Sequence, residues 1–145
     1  MIMAPATVDD LESLLGLESA GFDAPERWSR DSWAAELDAD QRLVVVSREA
    51  GRVGAVACFS VLDETAELLR VVVAPDCRGR GTARRLVGAG KDWAQARGAR
   101  RMLLEVRPDN EPALAVYRAT GFQPIARRKD YYGTGRHAVV MECEI

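Results

Sequence analysis

The sequence predicts a mixed α/β sandwich built around one sheet of about seven strands flanked by about four helices. Three observations predict it. Apolar, β-branched runs alternate with segments whose apolar residues recur every three or four positions. Glycine, proline and acidic turns separate them in the order strand, two helices, three strands, helix, strand, helix, two strands. The 145 residues, 48% hydrophobic and 29% charged, match one ordinary domain (1–145) able to bury a core without staples.

Ala4 to Val8 reads as a short first strand. Thr7 follows as a helix cap, with Asp9 and Asp10 in the first turn, where the helix dipole favours negative charge. Leu11, Leu14, Leu15 and Leu17 form the apolar face of that helix, and Gly21 stops it. Ser29 or Asp31 caps a second helix carrying Trp33, Ala34 and Leu37. Leu43–Val46, Val53–Leu62 and Leu68–Val73 then read as an antiparallel meander. The unbroken Val71-Val72-Val73 implies a strand covered on both faces.

Pro75 ends that strand, and a glycine-containing loop opens a helix running to about Arg97. Its inner face is Ala83, Leu86, Val87, Gly90 and Ala94; Gly88 and Gly90 weaken it but allow close packing on the sheet. Met102–Val106 is a further buried strand. Asn110 caps the last helix with Pro112 in its first turn, and Gly121 closes it. Phe122 to about Tyr131 and His137–Glu144 are the final strands.

Composition excludes several classes of function. A net charge of −2 gives no bulk attraction to nucleic acid or to an anionic membrane. Three scattered cysteines and one histidine offer neither a disulfide framework nor a metal site. No apolar run approaches the length of a membrane span, and the early residues turn acidic rather than basic, so a cytoplasmic protein is expected.

The segment from Val73 to Arg84 carries the most information. Its glycines let the backbone approach a ligand, and the free N–H groups at the following helix start attract a phosphate. Arg78, Arg80 and Arg84 would add charge-assisted contacts. The spacing matches neither the nucleotide P-loop nor the dinucleotide fingerprint. A tight strand–helix turn with exposed arginines has the same composition.

A second constellation follows. Glu105 is a lone acid in an apolar strand, and burial would push its carboxyl toward the range of a general base. An acid paired with Arg101 or Arg107, or simply solvated, fits the same residues. Tyr117 lies two helical turns beyond Asn110, on the same face, where a plain core tyrosine is also at home. Arg127, Arg128 and Lys129 read as a solvated face, and His137 as a surface or satisfied strand residue.

Arg78, Gly81, Thr82 and Ala83 fit the Gln/Arg-x-x-Gly-x-Gly/Ala signature of the GNAT superfamily of N-acetyltransferases, preceded by the typical Val73-Ala74-Pro75. The run Leu104-Glu105-Val106-Arg107-x-x-Asn110, then Ala113-x-x-x-Tyr117 and Gly121-Phe122, resembles the branch that acetylates the N-terminal alanine of a ribosomal protein. So do Arg128-Lys129-Asp130-Tyr131-Tyr132 and the Ala138–Met141 strand. The resemblance spans most of Val71–Met141, and more loosely Trp28-Ser29. It departs at Arg136-His137, where the branch usually has an acidic pair, and at Ala83, where glycine is commoner.

The resemblance implies a GNAT-like fold with a mostly antiparallel sheet, and acetyl-CoA as co-substrate. It implies that Val71, Val72 and Val73 meet the pantetheine arm through their backbone, that Gly79 to Arg84 hold the pyrophosphate, and that Asn110 touches coenzyme A. Glu105 would accept a proton from a primary amine, Tyr117 would donate one to the departing thiolate, and no metal would take part. A protein N-terminus is the implied acceptor; a small amine, an aminoglycoside, a polyamine or a lysine side chain would suit the same fold. A coenzyme A sensor without catalysis is the reading from outside enzymology, and the presence of both Glu105 and Tyr117 opposes it.

Overall fold

The structure is a computed structural model that describes residues 1–145. Seven strands form one sheet in the order β1-β2-β3-β4-β5-β7-β6. They are β1 (Ile2–Pro5), β2 (Arg42–Glu49), β3 (Arg52–Leu62), β4 (Thr65–Val73), β5 (Arg101–Val106), β6 (Gln123–Arg128) and β7 (Ala138–Glu144). The helices are α1 (Leu11–Gly21), α2 (Arg30–Asp38), α3 (Thr82–Ala96) and α4 (Glu111–Ala119). Neighbouring strands are antiparallel except β4 and β5, which run parallel because α3 crosses between them. The predicted class and element order therefore hold. No helix is long and apolar enough to cross a membrane.

Several boundaries differ from the sequence reading. β1 occupies Ile2–Pro5 rather than Ala4–Val8, because Thr7 to Asp10 form a capped 3-10 turn in which the Asp10 carboxylate accepts from the Thr7 N–H at 2.9 Å. β4 begins at Thr65, since a tight turn with Asp63 at φ 55° lets it pair at once with the end of β3. β6 stops at Arg128 and β7 starts at Ala138, leaving a loop that carries Tyr131 and Tyr132. Ser29, not Asp31, caps α2, its side chain accepting from the Ser32 N–H at 3.1 Å.

The sheet separates two apolar clusters. Helix α3, with Leu86, Val87 and Ala94 inward, and α4, with Leu114 and Tyr117, cover one face above Phe59, Met102, Leu104 and Met141. Helices α1 and α2 cover the other over β2–β4, where Leu14, Leu17 and Trp33 meet Val46, Val56 and Val72. Strand β4 is covered on both faces as predicted, with Val72 in one cluster and Val71 and Val73 against the other. Thr82 takes the inward place assigned to Ala83 in the first turn of α3.

Position 90 has room only for glycine. A Cβ there would lie 2.2 Å from the Phe59 ring, so α3 reaches β3 only because the side chain is missing. Nothing lies within 4 Å of a Cβ at Gly88, which has no such packing role. Gly90→Ala should lower stability in urea by about 1–3 kcal/mol through overpacking. Gly88→Ala should be neutral or stabilise by up to about 1 kcal/mol through helix propensity. Equal effects at the two sites would show that α3 shifts freely on the sheet.

Candidate active site

The site begins where β4 and β5 part. They pair at only three positions, Thr65 with Arg101, Ala66 with Met102 and Glu67 with Leu103. Beyond them a bulge interrupts β4: Arg70 faces Cys58, Leu68 faces Phe59, and Leu69 is the extra residue. A bulge bends its strand and ends regular pairing. The second half of β4 thus keeps β3 on one side and faces a cleft on the other.

Strand alternation decides which backbone groups enter the cleft. The Ala74 N–H donates to the Gly54 carbonyl at 2.8 Å, so Gly54 and Ala74 are a hydrogen-bonded pair. Counting back, Val72 turns its peptide groups to β3, while Val71 and Val73 turn theirs to the cleft. Of the three valines, Val72 contributes packing rather than free peptide groups. The Val73 carbonyl accepts from Nε of Arg78 at 3.2 Å.

The cleft has two arms that share Gly21, Val71, Asn110 and Tyr117. One arm, of about 770 Å³, is lined by Val71–Val73 and by the loop and first turn of α3. Gly79 (φ 79°) and Gly81 (φ 75°) both occupy the left-handed region, and a Cβ on either would meet only open space. Gly81 caps α3 without a side chain, and the first helical bond runs from the Arg85 N–H to the Gly81 carbonyl at 3.2 Å. The preceding amides of the first turn have no intrahelical acceptor. This is the construction that suits a phosphate.

Arg78, Gly79, Gly81, Thr82, Ala83 and Arg84 line this arm, as does Asn110 at the start of α4. Arg80 does not: its guanidinium turns away to Glu49 at 3.1 Å, so only its backbone belongs to the loop. The Asn110 Oδ1 accepts from the Ala113 N–H at 3.2 Å, which leaves the amide's N–H groups for a ligand.

The other arm, of about 890 Å³, holds Glu105, Glu67, Glu26, Tyr131 and Tyr132. Glu105 is on the face of β5 opposite Leu104 and Val106, with its side chain 24% exposed. Neither Arg101 nor Arg107 partners it. Arg101 pairs with Glu142 and Arg107 with Glu26, because each lies closer to another carboxylate. Its partner is Arg128, whose Nη1 donates to Oε1 at 3.2 Å; β6 is exposed along its length, as the solvated face predicted, and this one side chain of it also meets the carboxylate. His137 is satisfied in another way, its Nδ1 accepting from the Asp130 N–H at 3.1 Å.

Tyr117 stands at the junction of the two arms and is 8% exposed. Burial pushes its phenol up to about 12, only partly offset by Arg70. The hydroxyl is therefore protonated throughout the neutral range.

Sequence reasoning missed the charges that build the wall of the acidic arm. Arg70 donates to Glu18 through Nε (3.0 Å) and Nη2 (2.7 Å), while Glu18 also accepts from the Trp28 N–H at 3.0 Å. The guanidinium stacks on Phe22 at 3.5 Å from the ring centre. Glu26 accepts from Arg107 at 3.0 Å and from Arg136 at 2.7 Å. A signal did exist: Glu18 falls on the buried stripe of α1 and Arg70 interrupts an apolar strand, and each such charge needs a partner.

The two arms bring together a glycine loop with free helix-start amides, a carboxylate and a buried phenol. No group of three His, Cys, Asp or Glu residues is placed to hold a metal. The raised phenol also has a consequence for stability. Tyr117 ionises near 10 in the unfolded chain and near 12 in the folded one, so the stability linked to it is whole below pH 10 and is lost as pH rises toward 12. Between those limits the protein should lose about 2–3 kcal/mol more than Tyr117→Phe does, as read by urea unfolding.

The fold agrees with comparisons to known proteins. The model of the acetyltransferase (GNAT) family matches residues 9–122. An uncharacterized protein of Mycobacterium leprae is 34% identical over 99% of the chain, which spans 41% of that protein's length. The N-alpha-acetyltransferase RimI of Mycobacterium tuberculosis is 35% identical over 85% of the chain and 78% of its own length. The crystal structure of the ribosomal-protein-S18-alanine N-acetyltransferase from Escherichia coli superposes with a TM-score of 0.88 at 26% identity, covering 99% of this chain and 93% of that one. The chain belongs to the acetyltransferase (GNAT) family, and its reaction is acetyl transfer to nitrogen.

Proposed function

We propose that this chain uses acetyl-CoA to acetylate the N-terminal α-amine of a protein, of the ribosomal-protein-alanine type. The observation that carries the reading is the two-armed cleft with Tyr117 at its junction, Glu105 in one arm and the glycine loop in the other. The overall likeness to an enzyme that acetylates a ribosomal-protein alanine supports the acceptor. So does the acidic arm, whose size admits the first residues of a peptide as well as its amine.

The residues fit the co-substrate. The helix-start amides and both left-handed glycines suit its pyrophosphate, and the outward peptide groups of Val71 and Val73 suit an amide-bearing arm laid along β4. Bound there, acetyl-CoA supplies a thioester carbonyl at the junction. Glu105 takes the proton of the arriving amine, directly or through water, and so frees the nitrogen lone pair. The peptide N–H groups of β4 face the carbonyl oxygen as negative charge develops on it. The C–N bond forms, the C–S bond breaks and Tyr117 protonates the sulfur, while the proton shed by the new amide nitrogen passes through water to restore the phenol.

A phenol near 12 gives up its proton only when a strong charge needs it, and a thiolate forming in the same buried wall is such a charge. An α-amine with a pKa near about 8 loses its proton more readily than a lysine near about 10.4, which favours an N-terminal acceptor.

Thiol release should be followed with an alanine-initiated peptide, its N-blocked form, a lysine peptide and small amines. Release with the free alanine peptide alone is expected. Release only with small amines would remove the protein acceptor and keep the chemistry. Glu105→Gln and Tyr117→Phe should each lower turnover by about 10²–10⁴-fold while keeping acetyl-CoA affinity. Unchanged turnover in both would end these assignments.

A further inference from the structure

Arg128 lies on β6, the exposed outer strand, two strands away from Glu105. Register brings the two together. Glu105 is opposite Val140 on β7, Ala126 is opposite Val140 from the other side, and Arg128 is opposite Ala138. Val140 and Ala138 are two residues apart and share a face, so Glu105 and Arg128 project from the same face of the sheet. Strands two apart are separated by roughly 9–10 Å, a span that an arginine side chain bridges. Its guanidinium ends 3.2 Å from Glu105 Oε1 and 4.3 Å from the centre of the Tyr131 ring.

We propose that Arg128 is a positioning residue for Glu105. It stands in as the cation of the free enzyme, holding the carboxylate in one orientation until the acceptor's ammonium takes its place. The inference rests on the proposed role of Glu105 as proton acceptor. Three features support it. The guanidinium reaches hydrogen-bond distance of the carboxylate, 3.2 Å from Oε1. The Arg128 side chain is 55% exposed, so it can withdraw to water at small cost. Tyr131 gives its planar group a resting surface beside the carboxylate.

The exchange balances as a proton transfer. The ammonium displaces the guanidinium, one N–H bond breaks, an O–H bond forms on Glu105, and the nitrogen keeps the electron pair. The other titratable groups around this carboxylate are Tyr131 and Tyr132 on the β6–β7 loop, Glu67 on β4, and Glu26 with its partner Arg107. Glu26 is already held by two arginines. Arg128 is the cation in direct contact with Glu105.

The test uses the whole chain with carbon-13-labelled glutamate, the Glu105 carboxyl resonance being assigned through Glu105→Gln. In Arg128→Gln that resonance should shift and broaden at neutral pH, because the released carboxylate samples several orientations. kcat should fall about 2- to 5-fold, the size that exposed ion pairs produce, while the acceptor KM does not rise. Arg128→Lys should restore both the resonance and kcat, and added salt should narrow the gap between wild type and Arg128→Gln.

An unmoved resonance and an unmoved kcat would overturn the proposal. So would a raised acceptor KM with kcat unmoved, which would make Arg128 a substrate-binding residue. Wild-type turnover in Glu105→Gln would instead remove the proton-acceptor reading, and this proposal with it, even if the resonance still shifted. The two failures are therefore distinguishable.

Discussion

The parting of β4 from β5 is the constraint on which everything else depends. A parallel pair would normally zip along its whole length, satisfying each peptide group. Here three residue pairs form, and the bulge at Leu69 turns the rest of β4 aside. The freed edge stays paired to β3, so it is rigid, yet Val71 and Val73 still present donors and acceptors to a ligand. A cleft of this kind needs no loop to move before it exists. Its walls are the two strands, α4, and the start of α3, which the glycine loop brings down from the end of β4.

An open sheet edge would tend to close or collect water without props, and the props here are charges. Glu18 and Arg70 are almost wholly buried, with side chains 2% and 13% exposed. A pair like this is weak evidence of stability in itself, but removing one partner strands the other at a cost of about 3–5 kcal/mol. Its effect is placement. It binds the end of α1 and the Trp28 backbone to β4, and Glu26 binds the next residues to Arg107 and Arg136. One wall of the acidic arm is thus tied to β4, to the end of β5 and to the β6–β7 loop. Where the related branch usually carries an acidic pair, Arg136 here completes that tie, which gives the sequence departure a structural role.

The same cleft sets two opposite electrostatic conditions a short way apart. Tyr117 sits among apolar side chains, and Arg70 offsets only part of the burial that holds its proton in place. Glu105 sits on the face of β5 that no helix covers, next to a guanidinium and partly wet. A protonated phenol and a carboxylate paired to arginine thus line one cleft, the two groups to which the proposed mechanism assigns the giving and the taking of protons.

Much was legible in the chain because it depends on local rules. The seven strands and four helices followed from periodicity and turn residues, and the glycine loop from its position between a buried strand and a helix. Asn110 was recognisable as a cap and Gly121 as the end of its helix, where φ is 96°. The element ends were less legible, since a capped 3-10 turn and an early hairpin each moved a boundary by several residues. The identity of Glu105's partner lay beyond any local rule. Arg101 and Arg107 are nearer in sequence, but strand register assigned them to Glu142 and Glu26 and brought Arg128 in from across β7. Arg80 was likewise drawn away from the loop's ligand side by Glu49 on β2. Periodicity and turn chemistry act over a few residues, so the sequence by itself determined the elements and the loop. Bulge, register and charge pairing act between residues far apart in the chain, so only the tertiary structure decided where β4 leaves β5 and which charges meet in the cleft that it opens.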